Sequence, residues 1–132
     1  MVGEARKHAV LSQITGGRSY ASAGKALARI GNTTVHYRYV SKSAKGSARY
    51  AYNINPNTLR ADYELWTCGD SDGWYLLPIS VIRDMYEDPD AYVDNRHPEI
   101  RVVSVDVASD YATYGAGGKG ISVRQYRDAV LP

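Results

Sequence analysis

Seven cations in the first half of the chain, Arg18, Lys25, Arg29, Arg38, Lys42, Lys45 and Arg49, are the residues whose type and placement point most directly to chemistry. Lysine and arginine neutralise phosphates and release counterions, which gives affinity for a polyanion regardless of its base sequence. Residues 1–60 hold ten basic residues against one acid, Glu4, a balance of +9. Residues 61–132 hold six basic residues against thirteen acids, a balance of −7, so the formal charge of +2 hides a split. Such asymmetry points to a nucleic-acid-binding half and an acidic half. The competing reading is that the two halves neutralise each other within one folded unit. In the stretch SKSAKGSA (41–48), Gly46 and the serines suit a loop that follows a phosphate backbone.

Other chemistry-bearing residues weigh less. Tyr37, Tyr39, Tyr50 and Tyr52 recur at period two, as base-stacking rings do, though packing on a sheet face explains the same spacing at least as well. His8, His36 and His97 lack the spacing of zinc ligands. His36, on a basic strand, could touch phosphate or serve as a base, and a structural role is the commoner fate. Cys68 beside Trp66 reads as a buried thiol. Asp70-Ser-Asp72-Gly73 opens like a calcium loop, but its twelfth position is Val81 instead of a glutamate, so a turn is expected. Glu87, Asp88, Asp90, Asp94 and Glu99 read as a solvated acidic face. GAGGKG (115–120) lacks the strand–helix context of a phosphate-binding loop.

These residues must be positioned by a chain of 132 residues that is 44% hydrophobic, enough for one domain with its own core. Within residues 1–132 the basic half is 1–60, sheet completion and a helix occupy 61–107, and a Gly-rich loop and C-terminal segment occupy 108–132. One cysteine excludes an internal disulfide. No apolar run is long enough to cross a membrane. The opening MVGEARKHAV lacks the apolar stretch of a secretory signal, so a cytoplasmic location is expected.

The pattern predicts a helix over 3–14, with Ala5, Val10, Leu11 and Ile14 on one face and Gly16-Gly17 ending it. A second helix over 22–30 is expected, with a strand from about Ala26 as its rival. Residues 33–42 and 49–54 alternate as strands and are expected to pair like a hairpin. Asn55 caps a short turn with Pro56 at its first position. Strands follow at 62–68 and 74–78, then a helix over 79–88 with Ile79, Ile82 and Met85/Tyr86 inward. A strand over 100–107, a glycine loop over 108–120 and a last short helix over 121–130 complete the order. The fold class is α+β (mixed α/β), with a four- to five-stranded mixed sheet flanked by helices.

Three stretches, GEARKHAVLSQI, VHYRYVSKSAKGSARY and NINPNTLRADYELWTCGDSDGWYLLPISVI, together resemble small resolvase-like or homing-endonuclease-like members of the PD-(D/E)XK nuclease superfamily, over roughly residues 3–106. The resemblance implies a restriction-endonuclease-like core and magnesium-dependent phosphodiester hydrolysis. It places Glu4 as the helical carboxylate at the metal and Lys42 as the lysine closing the motif strand, which makes these two the catalytic candidates and Glu4 the metal ligand. The chain departs from the motif at Val40, where an acid belongs, and between residues 24 and 34, which contain no acid. Metal ligands from the acidic half (Asp62 or Glu64), a lost metal site, and a scaffold that binds DNA without cutting it all stay open. A DNA-binding homo-oligomer, with Mg2+ if it is a nuclease, is the expectation. The alternative is a non-catalytic phage or mobile-element accessory protein that binds DNA or a basic protein.

Overall fold

The computed structural model describes the backbone of residues 2–132 and the side chains of residues 5–132. The architecture is α+β, with two helices and two sheets among the described residues. The first helix, α1, spans Val2–Ile14. Val10, Leu11 and Ile14 come round to one side of a 3.6-residue repeat and are buried, while Ala5 is exposed. Gly16 and Gly17, at φ +63° and +83°, turn the chain out of the helix, and their N–H groups close on the carbonyls of Gln13 and Ser12.

In place of the expected second helix, the chain forms a tight hairpin of β1 (Ala21–Gly24) and β2 (Leu27–Ile30). Gly24 and the small residues around it do not supply the apolar face a helix needs. β3 (Thr33–Val40) follows antiparallel to β2. β4 (Arg49–Ile54) does not pair with β3, contrary to the hairpin expectation. It crosses to a second sheet and pairs with β7 (Arg101–Asp106). β3 pairs instead, in parallel, with β5 (Tyr63–Cys68), which runs antiparallel to β6 (Trp74–Pro78). The first sheet is therefore mixed, in the order β1-β2-β3-β5-β6. The second helix, α2 (Ile79–Glu87), buries Ile82 and Met85 as expected.

The stretch read as a glycine loop contains β8 (Tyr111–Gly115) and β9 (Lys119–Ser122), which complete the second sheet as β4-β7-β8-β9. Gly120 permits this pairing, because a side chain there would collide with the carbonyl of Ala112. The expected last helix is only a 3-10 turn at Arg124–Tyr126.

The first sheet is covered on both faces. Val35, Leu65, Trp74 and Leu76 point toward α1. Trp66, Cys68, Tyr75 and Leu77, their alternates, pack with Tyr50, Tyr52, Val103 and Val105 of the second sheet and with α2. Tyr52 stacks on Trp66 at 4.5 Å, so the packing reading of Tyr50 and Tyr52 holds. Each fully buried aliphatic side chain contributes about 1.5–3 kcal/mol, which makes these two cores the main source of stability. The outer edge of β6 is covered by residues 127–131, with Tyr75 bridged to Arg127. Asp128 N–H donates to Trp74 O at 2.8 Å, Trp74 Nε1 to Ala129 O at 2.8 Å, and Leu131 N–H to Ile14 O at 2.9 Å.

Candidate nucleic-acid cleft

Strand alternation sorts β2 and β3 into two faces. Ala28, Ile30 and Val35 face α1. Leu27, Arg29, Thr34, His36 and Arg38 take the other face, where Leu27 lies opposite His36 and Arg29 opposite Thr34. The second sheet covers that face over β5 and β6, and β4 is its edge. Past that edge the β2–β3 end of the first sheet stands open. The chain leaving β4 walls the opening with a 3-10 turn, Pro56–Thr58, capped by Asn55, whose side chain accepts from Asn57 N–H at 2.9 Å.

The opening holds two cavities of about 490 and 250 Å³. They share Lys25, His36 and Thr58 and so form adjoining parts of one cleft. The larger also touches Lys7, Arg38, Tyr37, Tyr39 and Asn55, and the smaller Thr34, Asn57 and Arg60. Among the described residues, none that lines either cavity is acidic. Among the described residues, Lys25, Arg38 and Arg60 have no ion-pair partner. Arg38 Nε is buried without a hydrogen-bond partner.

His36 forms the floor. The parallel register of β3 and β5 sets it directly beside Glu64, and His36 Nδ1 lies 2.8 Å from Glu64 Oε1. Glu64 is completely buried. Its Oε2 accepts from Trp66 Nε1 at 2.8 Å, and the single Thr58 hydroxyl proton is shared between Glu64 Oε1 at 3.2 Å and Asn55 O at 2.9 Å. Trp66 is a donor only, so Glu64 Oε2 accepts from it, and His36 Nδ1 meets the other oxygen. His36 Nε2 makes no hydrogen bond among the described residues.

The candidate cations therefore divide. Lys25 and Arg38 line the cleft, and Arg29 is exposed on the same sheet face. Lys42 and Lys45 are exposed in the loop beyond β3, and Arg49 is exposed at the start of β4. Lys42 Nζ lies 3.9 Å from Asp72 and does not line the cleft. Arg18 is spent on structure, donating to the carbonyls of Thr15 and Pro132. The side chain of Glu4 lies outside the described residues.

Asp62 Oδ2 accepts from the N–H and hydroxyl of Thr34 at 2.9 and 3.2 Å, and both oxygens of Glu64 accept hydrogen bonds within the fold. Among the described residues no group of three or more His, Cys, Asp or Glu side chains converges. Magnesium takes carboxylate oxygens, and the described lining of the cleft offers cations instead.

Elsewhere the titratable groups are structural. Burial pushes the Cys68 thiol up to about 11, and Tyr52 Oη lies 3.1 Å from its sulfur. Asp88, expected on a solvated face, is held below the usual carboxylate range by Lys119, at 2.7 Å, and by the N–H of Asp90. No helix among the described residues is long and apolar enough to cross a membrane. Arg60, Asn55 and Thr58 carry no local sign of a cleft role, because only the crossing of β4 to the second sheet brings them to His36, and Lys7 borders the larger cavity from α1. No protein-family model, curated protein or solved structure matches the chain.

Proposed function

We propose that the chain is a DNA-binding protein that takes a phosphodiester backbone into the cleft at Lys25 and Arg38 and along the cations beyond β3, on a restriction-endonuclease-like scaffold of the PD-(D/E)XK kind. One observation carries it: a cleft whose described walls are basic and polar with no acid, and in which Lys25, Arg38 and Arg60 have no ion-pair partner among the described residues. Self-neutralisation predicts many pairs between the basic and acidic halves. Among the described residues, one Lys or Arg pair joins them, Lys42–Asp72, whereas Lys119, Arg124 and Arg127 pair within the acidic half. The mixed sheet with helices on its flanks is the coarse arrangement that the resemblance implies. A homo-oligomer, offering one cleft to each strand, belongs to the same proposal, and light scattering with and without duplex reads it.

Anisotropy of a labelled DNA duplex at rising salt is the test. Affinity should fall linearly on a log–log plot, and Lys25→Ala with Arg38→Ala should lower the slope by about 2. Absence of binding at low salt would sink the proposal and leave a protein partner for the acidic half. Magnesium-dependent cleavage is left out, because the described cleft residues do not suit the ion. Plasmid nicking in magnesium that disappears in Glu4→Ala or Lys42→Ala would restore it.

A further inference from the structure

We propose that the floor of the cleft is a subsite for a single phosphate group, in which His36 Nε2, Arg38 Nε and Lys25 Nζ are the donors and Glu64 is the positioning residue behind the ring. The inference rests on the DNA-binding reading and deepens it: DNA binding at this subsite takes up a proton.

Two independent features of the structure point to an anionic oxygen. The first is Arg38 Nε, a buried donor with no partner. An unmade hydrogen bond of this kind costs about 1–3 kcal/mol, and native structures rarely leave one without a reason. Arg38 lines the larger cavity, so a turn of its guanidinium brings Nε to an acceptor there. The second is the fixed ring of His36, anchored at Nδ1 by a buried carboxylate and bordering both cavities. Nδ1 faces Glu64, so a phosphate oxygen is bound at Nε2 with both ring nitrogens protonated. The resulting imidazolium lies between two anions, Glu64 at Nδ1 and the phosphate at Nε2, and both stabilise its charge.

The charged groups around the ring are Glu64 from β5, Arg38 on β3, Lys25 at the β1–β2 turn and Arg60 after the 3-10 turn, while Lys7 of α1 borders the larger cavity from the Tyr37 side. Histidine is the side chain whose charge ordinarily changes between about pH 5 and 8, so proton uptake in the cleft falls to His36. The sign follows: the bound form is the protonated form, so affinity is highest at low pH and declines as pH rises. A buried carboxylate paired with an arginine could not act this way, because the guanidinium never gives up its proton.

The test is anisotropy of a labelled DNA oligonucleotide at fixed ionic strength, together with calorimetry in two buffers of different ionisation enthalpy. The wild type should bind about fivefold or more tightly at about pH 6 than at about pH 8, with a net uptake of up to about one proton. His36→Gln should still bind DNA but lose most of that pH dependence. His8 and the α-amino group, which titrate in an overlapping range, are retained in the variant, so the difference between the two proteins decides. A second arm uses the unmodified protein: inorganic phosphate should shift the His36 ring resonances before those of His8 or His97. Binding with no proton uptake, or a pH profile unchanged in His36→Gln, overturns the subsite while leaving DNA binding intact. Loss of all DNA binding by the wild type at low salt overturns the underlying reading instead.

Discussion

Glu64 and Asp110 are two acids withdrawn from water, and the molecule treats them differently. Asp110 is closed in by Tyr75 Oη at 2.6 Å, Arg127 Nη1 at 2.9 Å and Arg124 Nε at 3.5 Å. Burial alone would raise its carboxyl, but the hydrogen bonds from Tyr75 and Arg127 outweigh it and hold the pKa below the usual value. Its chief cation is itself committed, since Arg127 also donates to the carbonyls of Val107 and Asp72, while Arg124 reaches it from the exposed surface. Glu64 has a histidine where Asp110 has an arginine, and that histidine borders open space. The first arrangement locks the C-terminal segment across β6. The second leaves one ring nitrogen available to whatever enters the cleft. A buried carboxylate is therefore no guide to function by itself; what matters is whether its partner has an unused atom facing solvent.

The largest effect that tests this contrast is Asp110→Ala. It should cost about 2–3 kcal/mol in urea unfolding, somewhat under the range for a fully buried pair because Arg127 retains partial exposure. DNA affinity should not move. If Asp110→Ala weakens DNA binding as strongly as a cleft substitution does, the contrast collapses. The same carboxyl supplies acid sensitivity. Its folded pKa is depressed, so the stabilisation is present above the ordinary range near 3.9 and is lost as pH falls through the folded value. The wild type should lose stability below about pH 4, and Asp110→Asn should flatten that limb.

Glu64→Gln should be milder for stability, about 1–2 kcal/mol, since the amide oxygen still accepts one hydrogen bond while its NH2 faces a donor. Its larger consequence should be weaker DNA binding. The smallest expected change in stability is Arg38→Met. Removing a buried unpartnered donor should be neutral or stabilising by up to about 1 kcal/mol, while DNA binding weakens several-fold. A loss of stability there comparable to that of Asp110→Ala would mean that Arg38 is a structural residue after all.

Local elements could be read from the chain where their causes are local. Ile82 and Met85 mark the inner face of α2, and Asn55-Pro56 marks the 3-10 turn, because capping and helical spacing act over three or four residues. The long partner of β3 could not be read in that way. SKSAKGSA looks like a hairpin loop, and Ser43 N–H does close on Arg49 O at 2.9 Å, yet β4 departs to another sheet. The burial of Tyr50 and Tyr52 follows from that departure. GAGGKG reads as a loop because glycine has weak strand propensity, although it closes the β8–β9 hairpin. The cleft was half visible. Lys25 and Arg38 stood out by charge, and His36 was noticed without its role. Its bond to Glu64 depends on a parallel pairing between residues 28 positions apart, which no local pattern encodes.

The strap formed by residues 127–131 has a consequence for the order in which the molecule can assemble. Leu131 completes the core beneath α1, so the first helix and the last described segment finish the same packing. Contacts spanning nearly the whole chain are the slow ones to form, since the intervening loop must be closed first. Until the strap docks, β6 presents a row of unpaired backbone groups next to Trp74, the kind of edge on which chains pair with one another. Early folding intermediates should therefore be the aggregation-prone species, and a protease that trims residues 127–131 should open that edge to pairing between chains without touching the cleft at His36.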